Sequence, residues 1–235
     1  MTLNNKQIKN LKKEDLAYWI GVVQSDGYFK KQFVKRLKVK RYYIVLGVGE
    51  KSLPMQYKFI KISQKIFKVK GSMFISLTYN KFKKYEYKFG CKNLLKTFNL
   101  LDIKFSEPVT PPKWVLNKHS LFGAYLAGVI DADGDIRITR PKYPQCQIRI
   151  STKEKPIELI IGMKKHMTCA VNNRFGDRTY IGRYFVTEFK VSKKNYNFIN
   201  NYLINHLALE YKKNKINNFL RKKEGRWPGL SFLRN

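Results

Sequence analysis

Acid is what this chain is short of: 16 Asp and Glu stand against 48 Lys and Arg, a formal net charge of +32 over 235 residues. That imbalance is far beyond what solubility needs, and it excludes most partners other than polyanions. Cysteine and histidine are scarce as well. Cys91, Cys146 and Cys169 are odd in number with no paired short spacing, and His119, His166 and His206 complete no zinc pattern, so neither a disulfide framework nor structural zinc is expected. No run of 18 apolar residues occurs, which excludes a membrane-spanning helix. No segment joins a basic face to a strong apolar one, so no membrane partner is expected either. Met1 to Lys13 carries Lys and Asn but no apolar stretch of a secretion signal. The expected setting is soluble and intracellular, in an organelle or a microbial cytoplasm. What the chain does have is a globular composition, 43% hydrophobic and 14% aromatic. The charge therefore belongs to a folded protein, and nucleic acid is the polyanion that fits it best.

The chain also contains itself twice. Ala17 to Gly27 reads AYWIGVVQSDG and Ala124 to Gly134 reads AYLAGVIDADG, with six of the eleven positions identical. In each copy the small residues, Ala17 and Gly21 or Ala124 and Gly128, lie one helical turn apart. A narrow face of that kind lets two backbones approach closely, so the two repeat helices are predicted to pack on each other. Trp19, Val22, Val23, Leu126, Val129 and Ile130 then face the cores of their own halves. Each helix runs into Asp-Gly, where Gly27 and Gly134 are expected to take the left-handed conformation that stops a helix.

Strands follow each copy. Ile136 and Ile138 alternate with Asp135, Arg137 and Thr139, the period of a sheet with one apolar and one polar face, and Lys30 and Gln32 hold the matching places in the first copy. Second strands carry Ile44, Leu46 and Val48, or Cys146, Ile148 and Ile150 against Gln147 and Arg149. Helices are predicted from about Leu53 to Phe67 and Lys155 to Met167. Third and fourth strands are predicted over Ser72 to Tyr79 with Lys83 to Phe89, and over Val171 to Arg174 with Arg183 to Val191. Lys84 and Lys88 share one polar face there, as Glu188 and Lys190 do. Helices near Lys92 to Leu101 and Lys194 to Leu207 close the halves, and a last one runs from about Tyr211 to Lys222. Pro108, Pro111 and Pro112 mark a linker. The expected architecture is α+β: two pseudo-symmetric αββαββα repeats, 1–105 and 119–235, joined by 106–118, each with a four-stranded antiparallel sheet.

Leu126 to Gly134, LAGVIDADG, differs at one position of nine from the motif that names the LAGLIDADG homing endonucleases. With the degenerate first copy, the whole chain resembles the single-chain, two-repeat branch of that family. The resemblance implies a monomer whose motif helices form the central interface, with curved sheets making a saddle over the major groove of double-stranded DNA. It implies Mg²⁺-dependent cleavage of both strands at a long specific site, leaving short 3′ overhangs. The metal-binding, catalytic acid of each repeat would be the eighth motif residue, Asp26 and Asp133. Elementary chemistry agrees, because Mg²⁺ takes one or two carboxylates together with water and phosphate oxygens.

The family also places a polar residue at the end of the second strand and a lysine before or in the last helix. Aligning LGVGEKS with IRISTKE puts Glu50 and Thr152 at the first of these, followed by Lys51 and Lys153. The lysine candidates are Lys212 or its neighbour Lys213, and Lys104, whose cation would offset phosphorane charge. Arg and Gln suit bidentate contacts with guanine and adenine, so Lys30, Gln32, Arg137, Thr139, Gln147 and Arg149 are expected to read bases. Lys51, Lys84, Lys88, Lys153 and Lys190 join the DNA-binding set, lysines being suited to phosphates. Asp131 is expected to pack rather than bind metal, as are Tyr18 and Tyr125 rather than stack on bases. The alternative function is an RNA-binding intron maturase of the same fold, with intron RNA as the partner.

Overall fold

The computed structural model describes residues 13–34, 38–90, 94–105, 109–140, 142–176 and 184–224. In the first half, α1 (Lys13–Ser25) leads into β1 (Gly27–Val34) and β2 (Val39–Gly49), then α2 (Leu53–Phe67), β3 (Ser72–Leu77), β4 (Lys83–Phe89) and α3 (Leu94–Leu100). The second half repeats the order with α4 (His119–Asp133), β5 (Gly134–Thr139), β6 (Gln145–Thr152), α5 (Ile157–Met167), β7 (Val171–Phe175) and β8 (Phe185–Lys190). An irregular helix over 196–206 mixes α, π and 3-10 turns, and α6 (Glu210–Glu224) follows. The α+β class and the two four-stranded antiparallel sheets are as expected, with strand orders β1-β2-β4-β3 and β5-β6-β8-β7. Arg183, Lys92, Cys91 and Pro108 lie outside the described residues. No helix among the described residues is long and apolar enough to cross a membrane.

Local chemistry explains the elements. Pro54 opens α2, where its missing N–H has no partner to lose, and Lys68 closes it in the left-handed region at φ 54°. Thr168 closes α5 in the same way at φ 49°. One face of each sheet is covered by helices. Ile44, Leu46, Tyr87 and Phe89 of the first sheet pack with Trp19, whose ring stacks on Phe59 at 5.5 Å and whose Nε1 donates to Ser63 Oγ at 2.8 Å. Ile136, Ile148, Ile150 and Phe189 of the second sheet join Leu159, Met163 and Ile199 in the same continuous core.

The halves meet at α1 and α4. A Cβ on Gly21 would lie 2.2 Å from the Tyr125 carbonyl oxygen and 3.0 Å from the Val129 nitrogen, and one on Gly128 would lie 2.2 Å from the Tyr18 oxygen and 3.0 Å from the Val22 nitrogen. The contact is reciprocal, each glycine meeting the partner helix at equivalent residues, as an approximate two-fold axis requires.

Candidate active site

Both motif helices deliver their acid at the last turn and pass at once into a strand. The Asp26 amide still donates to the Val22 carbonyl at 3.0 Å, and Gly27 then pairs with Leu46 in the sheet. Asp133 is the last residue of α4, and Gly134 pairs with Ile150. Glycine is needed here for a reason other than the one expected from sequence. Gly134 sits at φ −83°, in extended backbone, and Gly27 is likewise outside the left-handed region. A Cβ on Gly27 would lie 2.6 Å from the Val23 oxygen, and one on Gly134 2.4 Å from the Ile130 oxygen. The requirement is close approach of a strand to the helix it has just left.

Asp26 and Asp133 are both half-buried. Burial raises the Asp26 carboxyl above the usual aspartate range, and the Lys212 ammonium opposes the rise. Lys212 is the centre of the site. It lies on α6 in the stripe Leu209, Ile216, Phe219 and Leu220, which faces the core, and it is only 4% exposed. Its Nζ donates to the Ile130 carbonyl at 2.6 Å and the Asp131 carbonyl at 2.9 Å, capping the end of α4. Burial lowers its pKa, while Asp131, Asp26, Asp133 and Asp135 hold the charged form in place. One ammonium thus feels the motif acids of both repeats, which puts the two helix ends on the same side of the molecule.

Two residues before each acid, side chains tie the site to the rest of the chain. Asp131, 1% exposed, accepts from Tyr18 Oη at 2.8 Å, the Ala208 amide at 2.7 Å and the Leu209 amide at 3.3 Å. It thereby fixes the segment that starts α6 and carries Lys212. In the first repeat Tyr125 Oη donates to Gln24 Oε1 at 2.6 Å, and Gln24 Nε2 donates to the Lys104 carbonyl at 2.7 Å and the Thr110 carbonyl at 2.9 Å. Tyr18 and Tyr125 are fully buried and bridge the repeats.

Strand pairing corrects one alignment. Because Gly27 pairs with Leu46 and Gly134 with Ile150, Leu46 and Ile150 are equivalent, and counting on matches Val48 to Thr152 and Glu50 to Glu154. Glu50 and Thr152 therefore do not hold the same place. Glu50 is exposed just beyond β2, whereas Thr152 is buried on the helix-covered face and donates its hydroxyl to the Glu154 carbonyl at 2.6 Å. The neighbours of the helix ends on the second strands are Gly47 and Ser151. The space above Gly47 is filled by Lys84 and Glu86, which form an ion pair at 2.9 Å.

The other candidates separate by face. Lys30, Gln32, Lys84 and Lys88 lie on the helix-free face of the first sheet, and Arg137, Thr139, Gln147, Arg149 and Lys190 on that of the second. Lys88 Nζ sits 4.0 Å over the Tyr43 ring, Arg137 is held by Asp135, and Arg149 Nε lies 3.8 Å from Glu188. Lys51 and Lys153 are exposed beyond the strand ends, and Lys104 is exposed on the chain that follows α3. A residue missed by sequence reasoning is Lys58, which lies on α2 with Nζ 3.6 Å over the Tyr18 ring and donating to the His206 carbonyl. Burial, opposed by Asp131 and Asp15, lowers its pKa to about 8. Its position on the half-buried flank of an amphipathic helix was the only signal.

Two motif helices crossing through glycine, each ending in an acid and feeding a four-stranded sheet, define a two-repeat α+β protein built round a central pair of carboxylates. No protein-family model and no curated protein matches the chain. Solved structures do. I-DmoI in complex with DNA and Ca matches with a TM-score of 0.60 at 18% identity, over 88% of this chain and 98% of that one. The homing endonuclease I-WcaI bound to its DNA recognition sequence matches with 0.56 at 17% identity, over 91% and 94%. A lysine-to-alanine variant of I-SmaMI matches with 0.54 at 13% identity, over 93% and 94%. The fold is that of the single-chain, two-repeat LAGLIDADG homing endonucleases.

Proposed function

We propose that this chain is a site-specific DNA endonuclease that requires a divalent metal, Mg²⁺ in the cell. In this reading it acts as a monomer and cuts both strands of a long asymmetric target with short 3′ overhangs. The break serves the homing of the intron or intein that encodes the chain, inside an organelle or a microbial cell. One observation carries the proposal: two helices crossing glycine to carbonyl under an approximate two-fold each end in an acid, with the buried Lys212 ammonium fixed on the end of one of them.

The residues fit a divalent ion shared with substrate. Among the described residues no three His, Cys, Asp or Glu converge as a metal-binding set. Mg²⁺, however, usually takes one or two carboxylates and completes its shell with water and phosphate oxygens. Asp26, pushed up by burial with only a lysine opposing, is a carboxylate in want of a cation. Asp26 and Asp133 would hold the metal. When bound, the ion polarises the phosphate and makes a coordinated water more acidic. Lys212 supplies fixed positive charge that offsets the negative charge developing on the phosphate in the transition state. Asp131 keeps Lys212 and α6 in register, and the basic sheet faces hold the duplex, with phosphates dominating affinity.

The test is incubation of the full chain and Mg²⁺ with duplex DNA that joins the sequences flanking its reading frame. Cleavage at the junction with short 3′ ends is expected. Intact DNA together with tight binding to the intron RNA would replace this reading by the maturase.

A further inference from the structure

The helix-free faces of the two sheets, aligned through their strand register, differ in chemistry at nearly every position. Arg137 and Gln147 stand opposite each other on β5 and β6; their equivalents are Lys30 and Tyr43. Arg149, flanked by Asp135 and Glu188, is matched by Val45, which is 3% exposed and so offers nothing to a ligand. Asp135 is matched by Tyr28, 45% exposed. On the edge strands Arg174 is matched by Phe74, 51% exposed; each pairs with the residue, Val186 or Glu86, that pairs in turn with the one beside its motif acid, Ser151 or Gly47. Near the helix ends, then, the second repeat presents guanidinium and amide groups where the first presents aromatic rings, together with Lys84, tied up in its ion pair with Glu86, and Lys88, seated over the Tyr43 ring.

Resting on the endonuclease reading, we infer that the two repeats recognise their half-sites by different chemistry. The second repeat reads purines by hydrogen bonds. Arg137 and Arg149 have the fork for guanine O6 and N7, and Gln147 has the amide for adenine N6 and N7. Asp135 restrains Arg137 beforehand, which lessens the side-chain entropy lost on binding, while Arg149 lies 3.8 Å from Glu188 without a hydrogen bond at Nε. The first repeat, close to the scissile bonds, reads thymine methyl groups through Tyr28 and Phe74. Apart from Lys84 and Glu86, which neutralise each other, and Lys88 over the Tyr43 ring, its hydrogen-bonding residues on this face, Lys30, Gln32 and Arg41, stand further out along β1 and β2. One half-site therefore carries most of the sequence information and is purine-specific on the strand read, and the other is A·T-rich and tolerant.

A library of random duplex DNA retained on the full chain, then sequenced, tests this. The expected result is one information-rich half containing guanine positions and one A·T-rich half. Arg137→Ala should relax a guanine preference in the first of these by about tenfold to a hundredfold. Phe74→Ala and Tyr28→Ala should flatten thymine preference in the other, leaving the first unchanged. These side chains are exposed, so the variants keep the core. Equal information in both halves, or an unchanged A·T-rich half in the Phe74 and Tyr28 variants, would overturn the inference while leaving the nuclease reading intact. Absence of any enriched sequence would overturn that reading itself.

Discussion

Gln24 and Asp131 occupy the same place in the two repeats and face backbones of opposite polarity. Gln24 turns amide protons toward the carbonyls of Lys104 and Thr110, while Asp131 turns oxygens toward the amides of Ala208 and Leu209. Each also takes the hydroxyl of the other repeat's tyrosine. The two-fold frame is thus kept, and the residue at this place follows whichever backbone group the local chain presents. The surroundings of the two helix ends are unequal as well. The second has a buried lysine fixed at its helix end; the first has Lys104 exposed and the Lys84–Glu86 ion pair beside Gly47.

That inequality can be sharpened by substitution. Lys212→Met should slow cleavage by about a hundredfold to a thousandfold, the usual consequence of removing a preorganised charge. Lys104→Met should cost less than about tenfold, since Gln24 holds its carbonyl and not its ammonium. Strand-resolved nicking kinetics measure both, and equal losses would contradict the asymmetry. The helix crossing should instead be symmetric. Gly21→Ala and Gly128→Ala each drive a Cβ into a carbonyl and should destabilise by roughly 1–3 kcal/mol or more, to similar extents. Thermal unfolding with one variant unaffected would break the two-fold account.

Exchanging the polar partners should be costly on both sides. Asp131→Asn keeps one acceptor oxygen but turns amide protons against either the Ala208 or the Leu209 amide, and Gln24→Glu places an oxygen against two carbonyls; each should cost about 1–3 kcal/mol by denaturant unfolding. A further effect is on pH. The Lys58 pKa is lowered to about 8 from 10.5, so between those values the unfolded chain binds the extra proton and stability rises with pH. Below about pH 8 Lys58 is charged in both states and contributes no slope. Lys58→Met should remove the rise, as seen in chemical denaturation across that range.

Much of this was legible in the residues themselves. The duplicated helix, the two acids and the polar sheet faces follow from identity and from period two, because those patterns are set by local geometry. Lys212 was legible only through the family resemblance, which calls for a lysine before or in the last helix and left Lys213 and Lys104 beside it as candidates. The partners of Gln24 and Asp131 could not, since they lie on distant chain segments whose polarity depends on the tertiary path. Glu50 was set against Thr152 by matching LGVGEKS to IRISTKE, and only ladder pairing reveals the register. The role of Gly27 and Gly134 was hidden likewise: Asp-Gly signals a turn, but the constraint here is a clash with the preceding helical turn.

The most direct test uses target DNA recovered by selection, Mg²⁺, and Asp26→Asn combined with Asp133→Asn. The expected double variant binds the target within about tenfold of the unaltered chain, because phosphate contacts dominate affinity, and cuts neither strand above background. Cleavage of both strands at the unaltered rate would contradict the assignment of these two carboxylates as the catalytic pair.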